Sequence, residues 1–122
     1  MGKKILLVED EKNVILGVRT CLDAVGYDVE IVEDGEEALN AVSREHPDLI
    51  LLDLLLPKLD GFEVLKVLKG NPETAKIPVI VLTAKAEEED RQRALDLGAN
   101  NYMTKPFKPQ ELWDRLKSYL SV

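Results

Sequence analysis

Cysteine is nearly missing from this chain. Cys21 is the only one, so neither an intrachain disulfide nor a cysteine metal cluster can form. A reducing cytoplasm is the matching compartment. Long hydrophobic runs are missing too, and no apolar stretch approaches the length of a membrane span. Positive charge is in deficit: 16 Lys and Arg against 23 Asp and Glu leave a net charge of −7, which argues against nucleic acid as a partner of this chain alone. The opening Met1-Gly2-Lys3-Lys4 leads straight into a strand-like run, so no secretory signal peptide is expected. Internal repeats, low-complexity tracts and linkers are absent as well. What is left, 122 residues that are 45% hydrophobic and 32% charged, fits one soluble domain, residues 1–122, around a single core.

The chain is organised around Leu49-Ile50-Leu51-Leu52, four consecutive apolar residues that deliver Asp53. A run without helical or alternating period reads as a strand buried on both faces. Lys4-Ile5-Leu6-Leu7-Val8 and Ile77-Pro78-Val79-Ile80-Val81-Leu82 are two more such runs, the first and fourth strands. Asp28-Val29-Glu30-Ile31-Val32 alternates instead, as a half-buried strand near a sheet edge does. Asn101-Tyr102-Met103 is a short fifth strand.

Helical spacing fills the gaps. Val14, Ile15, Val18, Leu22 and Val25 form one stripe, with Cys21 packed beside it and Gly26 as the stop. Asp34 caps the second helix, and Glu37 stands three residues on, as in a capping box. Pro47 ends that helix, and His46, the only histidine, has a surface or capping place there. Asp60-Gly61 opens a third helix with Phe62, Leu65 and Leu68, broken at Gly70-Asn71-Pro72. The acids Glu87 to Asp90 suit the first turn of a fourth helix, which ends at Gly98. Leu112, Leu116 and Leu120 recur every four residues along a fifth, with Trp113 and Tyr119 beside them. Five strand–helix units in strict alternation predict an α/β fold: an open, doubly wound (βα)5 sandwich around a parallel sheet. The flavodoxin-like strand order 2-1-3-4-5 places the alternating strand at an edge and the buried runs inside.

In such a sheet all strand C-termini share one edge. That edge presents Glu9 and Asp10, then Asp53, then Thr83, then Lys105. The first and third strands are neighbours at the topological switch point, so Asp10 and Asp53 face each other across a crevice. Carboxylates gathered so closely repel unless a cation or proton intervenes. Two or three hard oxygen ligands that leave room for water suit magnesium rather than zinc. With a lysine ammonium and a threonine hydroxyl added, the set matches an incoming dianionic phosphoryl group. One carboxylate is then the acceptor, since no other nucleophile here has an activating base.

These residues resemble the receiver domain of bacterial two-component response regulators. The motifs are the acidic pair Glu9-Asp10, Asp53 with Pro57 and Asp60-Gly61 after it, Thr83-Ala84, and Lys105-Pro106. The resemblance covers essentially the whole chain. It implies that Asp53 takes a phosphoryl group from a sensor histidine kinase. It implies magnesium on Asp10, Asp53 and the backbone carbonyl of Leu55, with Glu9 acting mostly through water. Thr83, Lys105 and the backbone N–H of Ala84 would hold phosphoryl oxygens, and the Lys105-Pro106 bond would be cis. Tyr102 matches the aromatic switch residue, whose ring turns inward as Thr83 moves. The face made by the fourth helix, fifth strand and fifth helix, with Tyr102, Lys108, Arg91 and Asp96, would then signal to an output domain or effector, or form a dimer. The resemblance implies no catalysis beyond the domain's own phosphorylation and dephosphorylation. It implies no membrane partner.

Four other readings compete. A never-phosphorylated module of this fold would lack an acid or the lysine, and both are present. A phosphatase working through an aspartyl phosphate typically carries a second carboxylate two residues after the nucleophile, where this chain has Leu55. A flavin carrier needs a Ser/Thr/Gly-rich first loop, whereas Glu9-Asp10-Glu11 repels phosphate unless a metal intervenes. A histidine phosphocarrier would need a site around His46, and none surrounds it. The resemblance also implies that Leu55, two past the acceptor, and Lys85, two past the threonine, flank the phosphoryl group; Leu55 offers attacking water no side-chain hydrogen bond, which points to slow self-dephosphorylation. The sequence ends at Val122, just after the fifth helix, as either a stand-alone regulator or part of a longer one.

Overall fold

The five strand-like runs form one parallel sheet in the order β2-β1-β3-β4-β5. The computed structural model describes residues 2–120. Met1, Ser121 and Val122, and with them the readings of where the chain starts and stops, lie outside the described residues. In chain order the elements are β1 Lys4–Val8, α1 Lys12–Asp23, β2 Asp28–Val32, α2 Gly35–Arg44, β3 Leu49–Leu52, α3 Gly61–Gly70, β4 Val79–Thr83, α4 Glu88–Asp96, β5 Asn101–Thr104 and α5 Pro109–Leu120. Successive strand side chains point to opposite faces, which splits the core in two. Ile5 and Leu7 of β1 join Leu22 of α1 and Leu112 and Leu116 of α5 on one face. Leu6 and Val8 join Ala38 and Val42 of α2, Leu65 of α3 and Ala94 of α4 on the other. The inner strands β3 and β4 are buried at every residue, whereas edge strand β2 is mostly half-buried.

Local signals fix the helix ends. Asp34 Oδ1 accepts the Glu37 N–H at 2.8 Å, and Asp60 Oδ1 accepts the Glu63 N–H at 3.0 Å. Three local expectations shift. Val25 lies beyond α1 and is 49% exposed, because the chain already turns there. Gly26, at φ +83°, donates to the Asp23 carbonyl while Tyr27 donates to that of Leu22. The Glu37 carboxylate reaches the Glu33 N–H at 3.4 Å, so the reciprocal half of the capping box falls one residue early. Finally, β4 begins at Val79 rather than Ile77: Pro78 has no N–H for the ladder, although its carbonyl accepts from Ile50.

Lys69 of α3 makes a tie that no local pattern announces. Its ammonium donates to the carbonyls of Ala75 and Ile77, both at 2.8 Å, and to Asn100 Oδ1 at 3.1 Å. Asn100 Oδ1 also takes the Val79 N–H at 3.0 Å. Burial lowers the Lys69 pKa, yet three acceptors surround the ammonium. Lys69→Met keeps the apolar stem and removes every donor. It is expected to lower unfolding free energy by about 1–2 kcal/mol, the usual cost of stranding partly buried acceptors. Urea denaturation checks this, and an unchanged midpoint would mean that water replaces the ammonium at no cost.

Candidate functional site

The site sits where the ladder runs one residue past the strands. The Glu9 N–H donates to Val32 O at 3.0 Å, the Asp53 N–H to Val8 O at 3.1 Å, and the Lys105 N–H to Thr83 O at 2.9 Å. These bonds fix three charged residues at the C-terminal edge, each still in register with a buried strand. Glu9 and Asp53 are buried among apolar strand ends, and Asp10 stands exposed beside them.

Lys105 joins the two buried acids. Its ammonium lies 2.7 Å from Glu9 Oε1 and 3.0 Å from Asp53 Oδ2. Each acid turns its second oxygen to the backbone: Glu9 Oε2 accepts the Glu11 N–H and Asp53 Oδ1 the Leu55 N–H, both at 3.1 Å. Burial pushes the Glu9 carboxyl above the usual carboxylate range. The Lys105 hydrogen bond works against that, and the Asp53 charge adds to it. Burial likewise opposes the Lys105 ammonium, but hydrogen bonds to Glu9 and Asp53 raise its pKa overall. The sequence-based expectation gave Glu9 a part mostly through water; the structure gives its carboxylate a direct ionic partner, because Lys105 reaches into the crevice.

Glu9, Asp10 and Asp53 each offer one oxygen within 4.8 Å of the other two. Three hard oxygen donors without histidine or cysteine fit magnesium or a similar ion, and not zinc. Leu55, Ala84 and Lys105 line the same crevice, of about 360 Å³. Thr83 is fully buried, and its hydroxyl accepts the Lys85 N–H at 3.4 Å. The Lys105-Pro106 peptide is cis. Glu9, Asp10, Asp53, Thr83, Ala84 and Lys105 therefore gather at one strand edge, whereas Tyr102 stands within β5.

Tyr102 stands inward in this structure: the ring is buried and its hydroxyl donates to Lys85 O at 2.7 Å. Burial first, then the charges of Asp90 and Asp53, push its pKa up to about 12. Sequence reading also missed Arg93, whose guanidinium lies 4.0 Å over the Phe62 ring. It missed an open apolar groove beside the crevice, about 650 Å³ in volume, between Val14, Gly17 and Cys21 of α1 and Pro106 and Phe107. Only the spacing of small residues Gly17 and Cys21 hints at it.

Residues 5–117 match the model of the response regulator receiver domain. Among curated relatives, the chain is 49% identical over 120 residues to the alkaline phosphatase synthesis transcriptional regulatory protein PhoP of Bacillus subtilis (strain 168), covering 98% of this chain and 49% of that protein. It is 44% identical over 120 residues to the phosphate regulon transcriptional regulatory protein PhoB of Escherichia coli (strain K12), covering 98% and 52%. The chain thus spans about half the length of these relatives. Among solved structures, the receiver domain of sensor histidine kinase PA1611 from Pseudomonas aeruginosa PAO1, with a magnesium ion coordinated in its active site cleft, superposes with a TM-score of 0.92 at 36% identity, over the whole of both chains. With the motifs, the strand order and the acidic crevice in agreement, this chain belongs to the response regulator receiver domain family.

Proposed function

We propose that Asp53 is the phosphoacceptor of this receiver domain and that a sensor histidine kinase is the donor. The observation that carries the reading is the Lys105 bridge: one ammonium within 3.0 Å of both Glu9 and Asp53 at the end of the central strand. An Asp53 oxygen attacks phosphorus, the donor's phosphorus–nitrogen bond breaks, and an acyl phosphate forms. Lys105 and the Ala84 N–H would meet the phosphoryl oxygens in the crevice that both residues line, and the buried Thr83 hydroxyl would join them. Asp10, Asp53 and the Leu55 carbonyl would hold magnesium directly, and Glu9 through water. The ion supplies positive charge against the phosphoryl group and the crowded carboxylates. The apolar groove along α1 gives the donor protein a face to rest on.

Output passes through the face of α4, β5 and α5, to an effector, an attached output domain or a second copy. PhoP and PhoB, which are named as transcriptional regulators, are about twice as long as this chain, which supports an attached domain. Nucleic acid would then be met by that domain, not by this acidic one. With no helix long and apolar enough to cross a membrane among the described residues, a cytoplasmic place beside the kinase is the consistent one. Residues 1–122 act as one receiver unit that assists only its own phosphorylation and dephosphorylation.

Incubation with a small phosphodonor and magnesium tests the reading. One phosphoryl adduct is expected by intact mass, and none when the divalent cation is chelated. Asp10→Asn separates the ion from the acceptor. Removing one of three crowded carboxylates lowers repulsion, so the variant is expected to be at least as stable as the parent without magnesium. Its magnesium affinity is expected to fall about tenfold or more, as loss of a charged ligand implies. Urea unfolding without magnesium reads the first half and calorimetric titration the second; unchanged affinity would remove Asp10 from the ligand set.

A further inference from the structure

We propose that the first turn of α2 positions the crevice's backbone ligand: Gly35, seated against Leu59, holds the segment 54–60 so that the Leu55 carbonyl can take a divalent cation. This rests on the reading of the crevice as a cation-assisted phosphoryl site.

Segment 54–60 has neither helix nor strand. Its near end is fixed by the acceptor strand and α3. The Leu55 N–H is on Asp53 Oδ1, and the Gly61 N–H donates to Leu54 O at 3.0 Å. A Cβ at Gly61 would meet Asp53 O at 2.4 Å and Leu54 Cα at 2.5 Å, so α3 begins hard against the acceptor's backbone. The stretch 56–59 between these ties has no backbone hydrogen bond to the sheet. It rests on α2. A Cβ at Gly35 would stand 2.1 Å from Leu59 O and 2.8 Å from Leu59 Cβ. Main chain touches main chain there, and no larger residue fits unless the segment moves.

The segment is also folded tightly between these two supports. Leu59 N–H donates to Pro57 O at 2.8 Å. Lys58 adopts φ +67°, which a residue with a side chain keeps only where its surroundings hold it. Lys58 Nζ stands 3.6 Å from Asp34 Oδ2 but is 62% exposed, so that ion pair is weak. The Gly35–Leu59 contact is therefore the stronger hold. Between Leu55 and that contact only Leu56, Pro57 and Lys58 intervene. A displacement at Leu59 has little slack to absorb it before it reaches the Leu55 carbonyl.

If Gly35 were small only for packing, enlarging it would cost stability and leave cation binding alone. Gly35→Ala and Ala41→Gly separate the two cases. Both lower the melting temperature, and Ala41 is buried on the next turns of α2, six residues on from Gly35. Magnesium affinity, titrated calorimetrically, is expected to fall about tenfold in Gly35→Ala, the scale of a lost supporting contact at a metal site, and to stay at the parent value in Ala41→Gly. Raising magnesium should restore the phosphorylation rate of Gly35→Ala. A folded Gly35→Ala with parental affinity overturns the proposal, as does an equal loss in Ala41→Gly. Should Gly35→Ala not fold, Leu59→Gly removes the Cβ that Gly35 faces and is read the same way. A parent protein that binds no magnesium would instead overturn the site reading itself.

Discussion

Asp53→Asn is expected to take up no phosphoryl group from a small donor under conditions that load the parent protein with one. The amide is nearly isosteric with the carboxylate and its N–H₂ and C=O remain good hydrogen-bonding groups. The Leu55 N–H and the Lys105 ammonium keep their neighbours, and Glu9 remains paired with Lys105. Folding should therefore survive, with one fewer charge in a crowded crevice. Nucleophilicity does not survive, because the amide has no ionised oxygen to attack phosphorus. Intact mass measured at several donor concentrations gives the answer. An adduct of equal yield in the variant would move the acceptor elsewhere, with Glu9 and Asp10 the neighbours to examine.

Lys105→Met is expected to be the most destabilising change at the site. The ammonium is shared by two carboxylates whose side chains are only 2% and 5% exposed. Removing one partner from a buried ionic set typically costs about 3–5 kcal/mol, since the remaining charge is left without compensation. Two acids share this ammonium, so part of the cost is relieved by proton uptake. The Glu9 carboxyl already holds its proton more tightly than an ordinary carboxylate, chiefly through burial. Without Lys105 that tendency is unopposed. The folded variant then keeps a proton that the unfolded chain has released. Its stability is highest at or below the ordinary carboxylate range and falls as pH rises through the elevated Glu9 value. Magnesium, supplying the missing positive charge, should narrow the gap to the parent. Urea unfolding at several pH values with and without the ion measures all three effects. A deficit independent of both pH and magnesium would mean that Lys105 matters only as packing.

What could be read from the chain, and what could not, divides along a physical line. Leu49 to Leu52, the alternation of β2 and the Asp34 and Asp60 caps depend on residues within a turn or a strand of each other, so spacing reveals them. The gathering of Glu9, Asp10, Asp53, Thr83 and Lys105 was legible because strand order brings all strand ends to one edge. The Lys105 bridge itself, 96 residues from Glu9 and 52 from Asp53, needed the side-chain path to be seen. Lys69 reaches Asn100 across 31 residues, and Trp113 donates to Cys21 O across 92; neither leaves a local period or motif. Gly35 was not singled out beside the Asp34 cap, since its neighbour Leu59 comes from a distant segment. The orientation of Tyr102 likewise depends on a carbonyl 17 residues away.

The Lys69 tie has a mechanical consequence. It grips Asn100, just past the C-terminal end of α4, and the Lys69 stem lies under Gly98. Along its own length α4 buries only Ala94. Its other end is held by lighter means: a 3.6 Å contact between Lys85 and Asp90, and the Tyr102 hydroxyl on the Lys85 carbonyl. The helix is thus a lever with its fulcrum at Lys69. A nine-residue helix is about 13 Å long, so a tilt of about 10° carries the free end through about 2 Å while the fulcrum stays still. A small change in the grip at Lys85 is magnified at Glu88, where the arm is longest.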